Sequence, residues 1–243
     1  IGVNFGYANH YADNNLDGFG DGVNSDHISI FSKLNIYRPS DKLFSLAMKY
    51  YYEDRRNGVE SFVKDRAYRD LRGSDEIYGE SIYTNRVELF GTYALDTKAN
   101  LKIDYSLSNH EQDSYYCDQY FEASQQIAFG NFLWYVRQNK HDVLVGTTLR
   151  YDAYDDNTQA TLEEIDGEVF NNPNNQFVPG IFIQDEYTIS ENVSLLGGMR
   201  MDHHQEHGFV FAPRFNAKVK TSDWTTFRFN FGTGFKVVNL FTE

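Results

Sequence analysis

The sequence is short of cysteine, proline, basic residues and long apolar runs, and each shortage excludes something. A single cysteine, Cys117, excludes an internal disulfide framework. Lys and Arg total 22 against 35 Asp and Glu, for a formal net charge of -13. That leaves no basic face for nucleic acid, so no nucleic-acid partner is expected. No apolar stretch approaches the roughly 18 residues of a membrane helix, and mean hydropathy is -0.57. A membrane β-barrel is not excluded, because its strands show lipid only every second residue. Proline is scarce at 4, while Tyr and Phe are abundant at 18 and 20. Strand positions favour aromatic residues, so the mixture leans toward β structure. The 243 residues suit one large domain or two small ones. The chain opens on Ile1, shows no signal peptide and ends in VVNLFTE, as expected of a piece of a longer protein.

What is present is a period of two. In LKIDYSLSNH, Leu101, Ile103, Tyr105 and Leu107 share one face and Lys102, Asp104, Ser106 and Ser108 the other. Phe44, Leu46, Met48, Tyr50 and Tyr52 alternate in the same way with Ser45, Ala47, Lys49 and Tyr51. So do Phe227, Phe229 and Phe231 with Thr226, Arg228 and Asn230. Alternation over about ten residues describes a strand with one apolar and one polar face. It predicts about eleven strands, near 1–11, 26–37, 43–53, 82–95, 100–110, 124–137, 142–154, 177–189, 193–203, 211–220 and 224–235. QIAFGNFLWYV is apolar on both faces, and FIQDEY points Asp185 outward unless a bulge intervenes.

The connections alternate in length. RPSDK, DTKAN, RQNKH, ISEN and TSD are tight turns, whereas 12–25, 54–81, 111–123, 155–176 and 204–210 read as long polar loops. Short turns on one side and long loops on the other fit an outer-membrane meander. The polar faces carry Lys49, Glu53, Arg86, Glu88, Asp104, Arg150, Asp152, Arg200, Arg214, Lys218 and Arg228. A packed core would have to compensate each charge, whereas a water-filled lumen accepts them. Aromatic strand ends at Tyr37, Tyr50, Tyr52, Tyr105 and Tyr151 suit a membrane interface. The expected fold is all-β: an antiparallel up-and-down transmembrane β-barrel, with 1–243 a partial barrel domain. A bacterial barrel needs an even number of strands, so the others must lie in other sequence. Two other readings are open: a passive outer-membrane porin and a soluble calcium-binding β-sandwich.

Several motifs carry chemistry. DNNLDGFGD places Asp13, Asn15, Asp17 and Asp21 at calcium-loop positions one, three, five and nine, with Gly18 at the sharp turn and the Phe19 carbonyl at seven. Position twelve is Asn24, which weakens the site, and Asp26 is the substitute. Calcium here is structural, stiffening an outer loop; the plain alternative is an Asp/Asn/Gly-rich hairpin loop. MDHHQEH gathers His203, His204, Glu206 and His207 at a hairpin tip. Imidazoles with a carboxylate suit Zn, Cu or haem iron, but the favoured reading is a polar tip. Tyr115, Tyr116, Tyr120 and Tyr154 offer aromatic contacts, and Arg150 and Asp152 with His204 and His207 complete the candidate ligand set. Asp152, Asp155, Asp156, Glu163, Glu164 and Asp166 form an acidic cluster. GTGF lacks the Lys-Ser/Thr of a phosphate loop. No catalytic constellation shares one face, and no enzyme is expected.

The last third resembles the barrel of TonB-dependent outer-membrane receptors. The residues that carry the resemblance are GIFIQDEYTISENVSLLGGMRMDHH at 180–204 and APRFNAKVKTSDWTTFRFNFGTGFKVVNLFTE at 212–243. Within them stand Pro213-Arg214, the turn Thr221-Ser222-Asp223, Gly232-Thr233-Gly234-Phe235-Lys236, and Leu240 with Glu243. The departure is Val237-Val238-Asn239, where many members have a proline. YYYEDR and GSDEIYGESIYTNR upstream keep the order of strand, loop and strand. The resemblance implies a 22-stranded barrel around an N-terminal plug, in the bacterial outer membrane. It implies active uptake of a scarce nutrient of the ferric siderophore, haem or cobalamin class. The implied partners are outer-membrane lipid, the inner-membrane TonB complex reached through an N-terminal segment, the metal chelate or cobalamin itself, and a surface lipoprotein.

Overall fold

The computed structural model describes residues 1–235. Eleven strands form one antiparallel sheet. They are β1 (Gly2–Ala8), β2 (Asn24–Arg38), β3 (Lys42–Gly58), β4 (Gly79–Asp96), β5 (Leu101–Tyr116), β6 (Gln119–Gln138), β7 (His141–Asp156), β10 (Asn174–Ser190), β11 (Val193–His204), β12 (Gly208–Ser222) and β13 (Thr225–Gly232). Each pairs with the next along the chain, and β7 pairs with β10 across a separate hairpin of β8 (Leu162–Ile165) and β9 (Glu168–Asn171). β1 and β13 are the free edges, so the barrel does not close among the described residues. The family-like residues Lys236 to Glu243 lie outside the described residues.

The register puts the alternation to use. Across β10, β11 and β12, Phe182 faces Arg200 and Arg200 faces Ala212, while Ile183 faces Met199 and Met199 faces Pro213. One face therefore gathers charged residues such as Arg200, with Phe182 and Ala212 between them, and the other stacks apolar ones such as Ile183, Met199 and Pro213. Among the described residues the apolar face has no second layer of protein on it: Leu149 is 54%, Met199 53%, Phe211 59% and Phe229 63% exposed. The buried apolar side chains among the described residues are Ala47, Phe62, Val63, Ala123, Leu133 and Tyr154, far too few for the core of a water-soluble domain. A β-sandwich needs a second sheet packed on the first, and the small β8–β9 hairpin does not supply it. This stripe is made for lipid.

The long strands explain where the expected loops went wrong. β5 has 16 residues and β6 has 20. At about 3.3 Å per residue and 45° of tilt, 16 residues rise about 37 Å, against an apolar band of about 25 Å. The surplus projects beyond the stripe on the long-loop side. The expected loop 111–123 is therefore two strand ends joined at Cys117 and Asp118, and the expected loop 204–210 shrinks to a tip between β11 and β12. The projecting ends have water on both faces, so their sequence loses its alternation while the backbone ladder continues. No bulge rescues Asp185: it stays on the apolar face, 2.6 Å from His141 Nδ1.

Candidate functional site on the polar wall

Facing strands β6, β7, β10, β11 and β12 line a cavity of about 690 Å³ on the polar face. Its wall is a set of polar pairs, some between residues two apart on one strand and some across strands. Arg200 grips Asp202 through Nε at 2.6 Å and Nη2 at 2.8 Å, and Nη2 also donates to Thr148 Oγ1 at 3.3 Å. The Asp202 side chain is fully buried. It has room because its partner across the ladder is Gly180; a Cβ there would lie 2.1 Å from Asp202 Oδ1. One step along, Arg150 Nη2 donates to Asp152 Oδ2 at 2.9 Å, and Gln125 Nε2 donates to Asp152 Oδ1 at 2.9 Å. Arg214 Nη2 donates to the neutral Gln184 Oε1 at 2.6 Å. Three guanidinium groups thus meet two carboxylates, and Arg214 is the one without an acid beside it among these pairs. Fixed charge-assisted pairs of this kind hold planar donors in position for an anionic guest. Phe129, Val178 and Phe182 add apolar surface to the same cavity.

The loop from 59 to 78 caps the projecting ends of β3 and β4. Its short helix α1 (Glu60–Val63) buries Phe62, whose ring fills the space left by Gly79, where a Cβ would sit 2.3 Å from the ring. Arg56, bonded to Asp26, lies under Tyr68 at 4.6 Å from its centroid. Arg72 lies over the Tyr83 ring at 4.0 Å and 3.7 Å from Asp54. Burial pushes the Arg72 guanidinium below its ordinary value, with Asp54 opposing the shift. These contacts seat the loop on the ends of the strands.

The remaining expected site residues are dispersed. The Asp13–Asp21 loop folds back through its own carboxylates: Asp13 accepts from the N–H groups of Asp17 and Gly18, and Asp17 accepts from that of Phe19. Gly18 takes φ +84° at the sharp turn, as its position demands. Asn24 is buried and accepts from His10, and Asp26 is held by Arg56, so both twelfth-position residues are committed elsewhere. Tyr115 packs against Tyr120 with ring centroids 4.9 Å apart and planes tilted by 37°, and Tyr116 is exposed; neither lines the cavity. Arg150 and Asp152 do. His204 is 1% exposed and Glu206 and His207 stand beside it, their ligand atoms within 4.8 Å of one another. His203 turns to the other face against Phe209.

Sequence reading missed Gln125, Thr148 and Gln176 as wall residues: the first two fall at polar-face parity on strands already drawn, whereas Gln176 was placed in the expected loop 155–176 and belongs to β10, which starts at Asn174. It also missed the β8–β9 hairpin. Asp166 and Gly167 both have positive φ, 54° and 82°, the turn for which Asp-Gly between two strands is the strongest local signal.

A family model described as "TonB dependent receptor-like, beta-barrel" matches residues 2–242. Among curated proteins nothing matches. Solved structures share the fold. The siderophore receptor PirA from Pseudomonas aeruginosa is 12% identical with a TM-score of 0.60, covering 91% of this chain and 35% of that one. PirA from Acinetobacter baumannii is 13% identical with a TM-score of 0.59, covering 85% and 32%. A mutant of the ferric enterobactin receptor PfeA from Pseudomonas aeruginosa is 12% identical with a TM-score of 0.60, covering 91% and 35%. The chain spans about a third of the length of these receptors.

Proposed function

The chain belongs to the TonB-dependent receptor β-barrel family, whose members are transport receptors of the outer membrane, and from that we propose that it forms part of the barrel of a siderophore receptor. The barrel binds an anionic ferric chelate at its outer mouth and passes it inward. The observation that carries this reading is the arginine-rich wall, with Arg150, Arg200 and Arg214 around a cavity of about 690 Å³. Bidentate, weakly hydrated guanidinium groups suit carboxylate and catecholate oxygens better than a neutral macrocycle. The PirA and PfeA receptors, which are named for siderophores, share its fold. Energy comes from the inner-membrane TonB complex, and gating from a plug, both through sequence other than this chain.

The test is growth on single iron sources. A strain lacking the full-length gene, starved of iron, should lose growth on one ferric siderophore and recover it with the wild-type gene. Arg214→Gln should recover it only partly, with weaker binding of that chelate to the purified receptor. Normal growth on every siderophore combined with lost growth on cobalamin or haem would sink this reading. A structural calcium ion on the Asp13–Asp21 loop is part of the same proposal, supported by the folded-back turn at Gly18. It requires that Asp17→Ala abolish calcium binding in a titration of the receptor.

A further inference from the structure

The β11–β12 tip holds imidazole and carboxylate groups that the siderophore reading does not use. We propose that His204, Glu206 and His207 form a binding site for a divalent transition-metal ion of the zinc, nickel or copper type. Their ligand atoms already lie within 4.8 Å of one another. Four-coordinate zinc, with bonds of about 2.0–2.1 Å, needs its ligands about 3.4 Å apart. Two of the three residues are exposed at the tip and can close the difference.

The buried member fixes the geometry. His204 Nε2 lies 3.1 Å from Gln176 Oε1, an oxygen that only accepts, so Nε2 carries the hydrogen. Nδ1 therefore keeps its lone pair and points it into the tip, where the N–H groups of Glu206 and His207 approach at 3.2 and 3.4 Å. Those are long contacts, easily exchanged for a metal bond. A ligating histidine held from behind by a carbonyl oxygen is the usual supporting arrangement of metal centres. The His207 ring lies parallel to that of His204, 4.7 Å away and tilted by 20°, which brings a second imidazole to the same side. Two histidines and one glutamate leave a fourth position open, and imidazole selects Zn, Ni and Cu over Ca and Mg. His203, which packs on Phe209, takes no part. Gln176 also lines the arginine cavity, so the ion sits at the edge of that cavity and adds positive charge there. The site stands whether or not the cavity takes a siderophore.

The full-length receptor in detergent should be titrated with Co²⁺ as an optical probe. A visible d–d band should appear and be abolished by Zn²⁺ but not by Ca²⁺ or Mg²⁺. His207→Ala, on the exposed tip, should remove it, and His203→Ala should leave it unchanged. Gln176→Leu should weaken affinity by about 10- to 100-fold, the usual effect of losing the residue behind a ligating histidine. The proposal fails if a receptor that keeps its heat-modifiable mobility shows no band. It fails equally if His203→Ala weakens binding as much as His207→Ala, or if Gln176→Leu changes nothing.

Discussion

Moving one positive charge by a single residue on β12 tests which medium each face touches. Arg214 lies on the polar wall, bonded to Gln184. Phe215 lies on the apolar face at mid-strand, between Gly197 and Phe231, and is 46% exposed. An arginine facing lipid near the bilayer midplane costs about 2–4 kcal/mol. Losing the half-exposed phenyl ring to lipid adds roughly 1 kcal/mol. Phe215→Arg should therefore cost about 3–5 kcal/mol, a hundred- to few-thousand-fold shift at roughly 1.4 kcal/mol per decade. Asn216→Arg puts the same charge on the wet face and should cost no more than about 1 kcal/mol. The assay is equilibrium unfolding of the full-length receptor in lipid vesicles, with gel mobility confirming that each variant reached the folded barrel. Equal losses for both variants, or under about 1 kcal/mol for Phe215→Arg, would refute the lipid-facing assignment.

Three further outcomes follow from particular contacts. Gly180→Ala should destabilise by about 1–3 kcal/mol through overpacking, because its methyl would meet Asp202 Oδ1 at 2.1 Å; adding Asp202→Ala should recover part of that loss in the same unfolding assay. Phe62→Ala removes a side chain that is 2% exposed and should weaken the docking of the 59–78 loop by about 3 kcal/mol; protease added to intact cells should cut that loop faster, and unchanged cutting would show that Phe62 does not seat it. For Asp156, burial raises the carboxyl pKa, but hydrogen bonds from Tyr154, Thr158 and Thr161 outweigh it and the net shift is downward. A depressed pKa means that stability is present above the ordinary carboxylate range and lost as pH falls through the folded value. Hydrogen-exchange protection of the N–H groups of Thr161 and Leu162, corrected for intrinsic rates, should fall in that acid range, and Asp156→Asn should flatten the dependence.

The sheet was legible because lipid and water alternate along each strand. Wherever a strand crosses the apolar band, as at Leu101 to Leu107 or Phe227 to Phe231, the side chains must alternate and the period announces the strand. Where the same strand leaves the band, as at Glu111 to Tyr116, both faces are wet and the residues carry no period, although the ladder to β6 continues without a break. That physical change, not a change in backbone, turned strand ends into expected loops. The cavity was half legible. Its arginines and Asp152 were visible as polar-face charges, but the Gln184 that takes Arg214, the Gln125 that takes Asp152 and the slot at Gly180 that admits Asp202 depend on register between strands, which no single strand encodes. The tyrosines misled because an aromatic residue at a strand end serves an interface, a stacking pair and a ligand contact equally well.

Asp185 shows how strictly the two faces are kept apart. It is a carboxylate at apolar-face parity, between Ile183 and Tyr187, with Gly197 and Val143 as its cross-strand partners. Isolated there, it would face hydrocarbon. It does not stand isolated: His141, at the first position of β7, reaches it at 2.6 Å and stacks on Tyr187 at 4.6 Å. All three lie toward the short-turn end, where the aromatic belt meets headgroups and the cost of an acid falls to about 0–1 kcal/mol. The side-chain-free Gly197 beside it leaves water and headgroup atoms a way in. The polar wall follows the opposite rule. There Lys49, Arg86 and Glu88, or Lys102 and Asp104, pair within and between strands without any need for a rim, because the bore itself supplies water. Charge on one face is confined to the edge and charge on the other is distributed along its whole height, and that difference is what a barrel wall with lipid outside and solvent inside requires.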